Sequence, residues 1–181
     1  MKVPFLDLLA AQSQVQLEIE AAIKRVANSG CYILGPELLN FEAEFAKFTA
    51  AKHCIGVANG LDALCLALKS AGITTDDEVI LPANTYIATW LAVSQCGAKP
   101  VPVEPLKDTY NIDPEAVAAA VTNRTRAIIA VHLYGQPADM DPLRKISNQY
   151  GLFLLEDAAQ AHGARYKSLP IGSVGTAAWS F

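Results

Sequence analysis

Gly151-Leu152-Phe153-Leu154-Leu155-Glu156-Asp157-Ala158-Ala159-Gln160-Ala161-His162-Gly163 is the stretch on which the reading of this chain turns. Its four large apolar residues, Leu152 to Leu155, follow a glycine and stop at two carboxylates. Such a run is too short for a buried helix and fits a strand covered on both faces, as in parallel sheets. Burying each of those side chains contributes roughly 1.5–3 kcal/mol, so the strand is firmly anchored. Asp157 then stands where the strand leaves the sheet, at its carboxyl end, where open α/β sheets bind ligands. A carboxylate held there needs a partner, because a buried unpaired charge is costly. A cationic ring nitrogen, a metal ion or an arginine would each serve.

Outward from this stretch, short apolar runs alternate with helical patterns. Strands are predicted at Cys54–Ala58, Glu78–Leu81, Lys99–Val103, Ala127–Val131 and Leu152–Leu155, with a sixth beginning over Ala177–Phe181. Pro100 and Pro102 make the third irregular or near an edge. One long amphipathic helix is expected over Ala11–Asn28 with Gly30 as its cap, and a second opens at Pro36 with a stripe of Leu38, Phe41, Phe45 and Phe48. Further helices follow Asn59-Gly60-Leu61-Asp62, run from Tyr86 to Cys96 under a cap from Asn84 or Thr85, and begin at Asp113-Pro114 and Asp141-Pro142. Single helices between strands imply right-handed crossovers, hence an α/β fold with a doubly wound, mostly parallel sheet. Asn59-Gly60, Asn84 to Tyr86, Glu104, His132 and Asp157 all follow strands and should gather at one rim, with Ser180 approaching it.

The bulk properties narrow the function. A chain of 181 residues suits one large domain or most of one. At 52% hydrophobic and 18% charged it is not disordered, and some apolar surface is expected to be covered by a further partner surface. The net charge of −4, without a basic stripe, argues against nucleic acid. No apolar run reaches membrane-spanning length. Lys2 and the apolar patch after it resemble a signal peptide, but Asp7 interrupts the patch, so no targeting segment is expected. Cys31, Cys54, Cys65 and Cys96 show no CxxC spacing and read as reduced thiols of a cytoplasmic protein. His53, His132 and His162 lack metal-ligand spacing, and no metal site is expected.

At the rim, a glycine-led turn into a helix at Asn59-Gly60-Leu61-Asp62 presents free N–H groups and a positive dipole end, a seat for phosphate. Neither GxGxxG nor GxxxxGK[ST] is present. Asp62 also suits the first turn simply as an acidic residue favoured by the dipole. Tyr86, directly after a strand, can lay its face on a planar ring, or pack. Glu156, Asp157 and His162 could be metal ligands, but adjacent carboxylates on an extended chain point to opposite faces. Together these features describe a site for a flat cationic ring bearing a phosphate.

Asn59-Gly60-Leu61-Asp62-Ala63-Leu64, Pro82-Ala83-Asn84-Thr85-Tyr86-Ile87-Ala88-Thr89 and Glu156 through Gly163 resemble the DegT-type sugar-nucleotide aminotransferases, pyridoxal-phosphate enzymes of the aspartate-aminotransferase fold. Val3 to Asp7, Ile33 to Pro36 and Trp179-Ser180-Phe181 carry the same resemblance. It implies that Asp157 is the catalytic carboxylate pairing with the protonated pyridine nitrogen, that Gln160 bonds the phenolic oxygen, and that Tyr86 stacks on the ring. By the same resemblance Gly60, Leu61, Asp62 and Ser180 hold the phosphate; His162 is given no role and reads as structural. Glu104-Pro105 and Thr109 to Asp113 resemble members that act at the 3-position of deoxyhexoses.

The family's Schiff-base lysine would fall about four residues past Phe181. Residues 1–181 are therefore expected to be the N-terminal part of the cofactor-binding large domain, inactive alone, without the rest of that domain and a smaller C-terminal one. The implied activity moves an amino group from an amino acid, glutamate, through pyridoxal 5'-phosphate to a nucleotide-linked keto-deoxysugar in a cytoplasmic homodimer. A pyridoxamine-phosphate-dependent sugar dehydratase, with histidine in place of that lysine, is the near alternative. A non-catalytic cofactor-binding or regulatory protein is the alternative of another class, and a Rossmann-like nucleotide binder or metal hydrolase a more distant one.

Overall fold

Glycine, proline and short polar side chains set most element boundaries in the computed structural model, which describes residues 3–181; Lys2 lies outside them. Asp7 opens α1 (Leu8–Ser13) by accepting the N–H of Ala10 at 2.9 Å. Helix α2 (Gln16–Ser29) follows and ends at Gly30 in the left-handed conformation. The single helix expected over Ala11–Asn28 is thus two. Val15, β-branched and ill suited to a helix, leaves helical geometry at φ −124° and ψ 16°. Pro36 occupies the first turn of α3 (Pro36–Thr49).

Cys54–Ala58 is not a strand. A strand needs a neighbour to complete its ladder. Here the Gly56 N–H goes instead to Glu42 Oε1 at 2.7 Å, and Ile55 and Val57 stay exposed.

The alternating part then runs α4 (Gly60–Ser70), β1 (Glu78–Pro82), α5 (Ile87–Gln95), β2 (Lys99–Val103), α6 (Pro114–Ala120), β3 (Thr125–Val131), α7 (Met140–Tyr150) and β4 (Phe153–Asp157). A hairpin, β5 (Arg165–Tyr166) with β6 (Leu169–Pro170), precedes β7 (Thr176–Ala178). Asp113 caps α6 as expected, accepting the Glu115 N–H at 2.9 Å. Helix α7 starts earlier than its Asp141-Pro142 signal, with Asp139 at the cap position. Helix α5 has no side-chain cap, because Asn84 donates to the Tyr110 carbonyl and Thr85 turns to Thr89.

The five-stranded sheet has the order β2-β1-β3-β4-β7, and every pairing in it is parallel. The proline-bearing β2 lies at an edge, where missing N–H donors are tolerated. Side chains alternate between faces. Val79, Leu81, Ile129, Val131 and Leu155 meet α4 and α5 in one core, while Ile80, Ile128 and Ala130 meet α6 and α7 in another. The sheet is therefore covered on both faces, which explains the near-continuous apolar strands. β4 extends two residues further than its apolar run, so both Glu156 and Asp157 belong to it. β7 stops at Ala178. Trp179 and Phe181 instead join Phe45, Phe48, Phe41 and His162 in an aromatic cluster with ring centroids 4.8–6.4 Å apart.

Candidate functional site

The last residue of β4 places its carboxylate on the α4/α5 side of the sheet, one position beyond Leu155 in the alternation. Asp157 is 7% exposed. Its Oδ2 accepts the hydroxyl of Thr89, on α5, at 2.8 Å, and its Oδ1 accepts the Ala159 N–H at 3.3 Å. Among the described residues no lysine or arginine pairs with it. Burial pushes its carboxyl above the usual carboxylate range, and the bonds from Thr89 and Ala159 oppose that rise.

Glu156 points to the opposite face, as adjacent strand residues must. There His132 lies 3.0 Å away from its Oε2 through Nε2, and both are buried. His132 Nδ1 accepts the Ala138 N–H at 3.0 Å, so Nε2 is the nitrogen that donates to Glu156. His132 follows β3 as expected but sits beneath the sheet rather than on the open rim. The two carboxylates therefore do not converge on one point. Glu104 is exposed and bonds to none of these groups.

The N-terminus of α4 lies against the end of β7. A Cβ on Gly60 would fall 2.8 Å from Ser180 Cβ and 3.2 Å from Ser180 Oγ, so only glycine allows this approach. Asn59 caps the helix, accepting the Asp62 N–H at 2.9 Å and donating to Asp62 Oδ2 at 3.0 Å. The N–H groups of Gly60 and Leu61, in the first turn, have no acceptor within the helix. Leu61 turns its side chain to the core and contributes only backbone here. Gly60, Leu61 and Ser180 thus form a cradle of donors at the positive end of a helix dipole.

Gln160 lies on the loop beyond Asp157. Its Oε1 accepts the Tyr134 N–H at 2.7 Å, which leaves the amide NH2 free to donate outward. Tyr134 itself holds a left-handed backbone at φ 59°, a cost that such loops bear when other contacts impose it. Tyr86, at the cap position of α5, is 73% exposed and stands one turn before Thr89. His162 packs in the aromatic cluster, 4.8 Å from the Phe181 ring.

Thr89 and Tyr134 carry no role in the sequence reading, and Thr85 only that of a candidate helix cap, although both threonines fall within the quoted motif. The one sequence signal for the two threonines is that they stand four residues apart where a strand gives way to a helix, with Thr85 just ahead of α5. Nothing in the sequence pairs Tyr134 with Gln160.

Residues 13–181 match the profile of the DegT/DnrJ/EryC1/StrS aminotransferase family. The chain is 57% identical over 181 residues to a dTDP-3-amino-3,4,6-trideoxy-alpha-D-glucose transaminase of Streptomyces venezuelae, covering 99% of this chain and 48% of that protein. The crystal structure of S. venezuelae DesV in complex with a ketimine intermediate superposes with a TM-score of 0.97 at 57% identity, over 99% of this chain and 49% of the other. The Bacillus subtilis protein NtdA, solved with bound PMP cofactor, gives a TM-score of 0.89 at 34% identity, over 96% and 39%. The chain spans about half the length of the curated relatives it matches. With the parallel sheet and the motif on β4 in place, this chain belongs to the DegT/DnrJ/EryC1/StrS aminotransferase family.

Proposed function

We propose that the protein moves an amino group from an amino acid of the glutamate class, by way of pyridoxal 5'-phosphate, to carbon 3 of a nucleotide-linked keto-deoxysugar. The observation that carries this reading is Asp157, a buried carboxylate with two hydrogen-bond donors and no cation beside it among the described residues. A protonated pyridine nitrogen is the partner such a group suits, because a charge-assisted bond offsets the cost of its burial. The cradle at Gly60, which a Cβ would fill, is the second feature that fits the cofactor.

When bound, the vitamin B6 ring supplies the electron sink through which amino groups are exchanged. The residues of this chain bind and orient it. Asp157 keeps the ring nitrogen protonated. Gln160, its carbonyl committed to Tyr134, donates its NH2 to the phenolic oxygen. The N–H groups of Gly60 and Leu61 and the hydroxyl of Ser180 hold the phosphate, and Tyr86 covers the ring. Asp62 supports this seat through Asn59, because its own N–H is already taken by the cap.

The carbon-3 assignment rests on the 3-amino sugar named for the S. venezuelae relative. A homodimer is supported by the exposed apolar side chains of Phe5, Leu6, Leu8, Leu9, Ile33 and Leu34. A cytoplasmic location is supported by four cysteines without a disulfide. Among the described residues no helix is long and apolar enough to cross a membrane.

The test uses the protein as its gene encodes it. Asp157→Asn is expected to weaken pyridoxamine phosphate binding and to reduce transamination of a dTDP-linked 3-keto sugar by glutamate about 10²-fold or more. Parent-level binding and turnover in that variant would defeat the reading.

A further inference from the structure

The hydroxyl of Thr89 does more than fill space beside Asp157. Thr89 is wholly buried, so water does not replace it. It stands on α5, and Thr85 lies on the chain just ahead of that helix, before the cap residue Tyr86; the two hydroxyl oxygens are 2.8 Å apart. A hydroxyl has one proton to give. An ionised carboxylate has none, so Thr89 must donate to Asp157 Oδ2, and its own oxygen is then left to accept from Thr85. The line has one direction while Asp157 is charged: Thr85 to Thr89 to Asp157.

We propose that Thr89 is a positioning residue for Asp157, its hydroxyl, supplied by that of Thr85, holding the carboxylate in one orientation and in the ionised form. The inference rests on the reading of Asp157 given under the proposed function. Threonine suits the task because its branched side chain is stiff about χ1. The donor to Oδ1 is the longer one, at 3.3 Å from Ala159 N, which leaves that oxygen the more available to a further donor. Other elements around Asp157 offer less. β7 contributes the Ala178 carbonyl, which accepts the Ala158 N–H. From β3 the titratable neighbour is His132, whose ring nitrogens are engaged by Glu156 and by the Ala138 N–H. Among the described residues α5 itself carries no titratable side chain at this end, and Tyr86 stands at its cap position.

Four proteins, each as its gene encodes it, decide the matter: the parent, Thr89→Val, Thr89→Ser and Asp157→Asn. Each is titrated with pyridoxamine phosphate, its bound absorbance is followed against pH, and its melting temperature is recorded. Thr89→Val keeps the shape and removes the donor. It is expected to bind pyridoxamine phosphate roughly ten- to hundredfold more weakly, the range for a hydrogen bond to a charged group. The bound ring should also lose its proton at a lower pH than in the parent. Thr89→Ser should recover binding to within about threefold of the parent, because the donor is restored.

Parent-like binding and pH response in Thr89→Val would overturn the inference, and so would Thr89→Ser behaving like Thr89→Val. Should Asp157→Asn also bind like the parent, the reading of Asp157 itself fails. A weakened Asp157→Asn beside an unaffected Thr89→Val sinks the Thr89 inference alone. If Thr89→Val does not fold, Thr85→Val tests the same line from its half-buried end. A loss of about threefold or more supports the line, and parent-level binding refutes it.

Discussion

Gly60 and Ser180 come so close that a single methyl group on Gly60 would sit 2.8 Å from the Ser180 side chain. The two residues are far apart in sequence, one starting α4 and the other just past β7. The approach joins a helix N-terminus to a hydroxyl, and the proposed phosphate seat depends on it. Gly60→Ala should force α4 and the end of β7 apart, at a stability cost of about 1–3 kcal/mol. Pyridoxamine phosphate affinity should fall by more than the stability change alone accounts for. Calorimetric titration beside thermal melting measures both; unchanged affinity would separate the cradle from the cofactor.

Asp157 carries an opposite balance of stability and use. Burial raises its carboxyl pKa, so the folded protein holds that proton more tightly than the unfolded chain does. Its contribution is then most favourable below the usual carboxylate range, and is lost as pH rises through the raised value. Without cofactor, Asp157→Asn should therefore melt higher than the parent at pH 7. The difference should shrink on acidification toward the ordinary carboxylate range. Melting curves across pH in the absence of cofactor check the sign, and a lower melting temperature at pH 7 would contradict it.

His132 and Glu156 form a buried pair beneath the site. Removing the imidazole leaves the carboxylate and the Ala138 N–H without partners. His132→Ala should cost about 3 kcal/mol in urea denaturation. Glu156→Gln, which retains an acceptor for His132, should cost less.

Cys96 is expected to resist alkylation. Burial, and then the Cys65 thiol 3.6 Å away, push its pKa up to about 11. At pH 8 only about a thousandth of it is thiolate, the reactive form. Mass spectrometry after brief iodoacetamide treatment should find little label on Cys96 at pH 8 and much more near pH 10. Rapid labelling at pH 8 would disprove this.

Much of the fold is legible along the chain because its signals are local. Gly30, Gly151 and the Asp113-Pro114 pair end or begin helices through backbone geometry that depends only on near neighbours. The apolar runs at Val79, Ile128 and Leu154 announce strands covered on two faces, and strict alternation predicts that Glu156 and Asp157 diverge. What the sequence determines by itself is therefore the alternation of helices and strands from α4 to β4, the parallel sheet and the strand end from which Asp157 projects.

Tertiary structure decided the rest, because those contacts join residues distant along the chain. Cys54–Ala58 looks like a strand until the Gly56 N–H finds Glu42 instead of a neighbouring ladder. His132 looks like a rim residue until β3 and β4 are set in register, which turns it beneath the sheet toward Glu156. Thr89 lies 68 positions before Asp157, and only the packing of α5 against the sheet brings its hydroxyl to that carboxylate. No periodicity encodes such a meeting, since it depends on how helices pack across the sheet rather than on the spacing of residues within any one element.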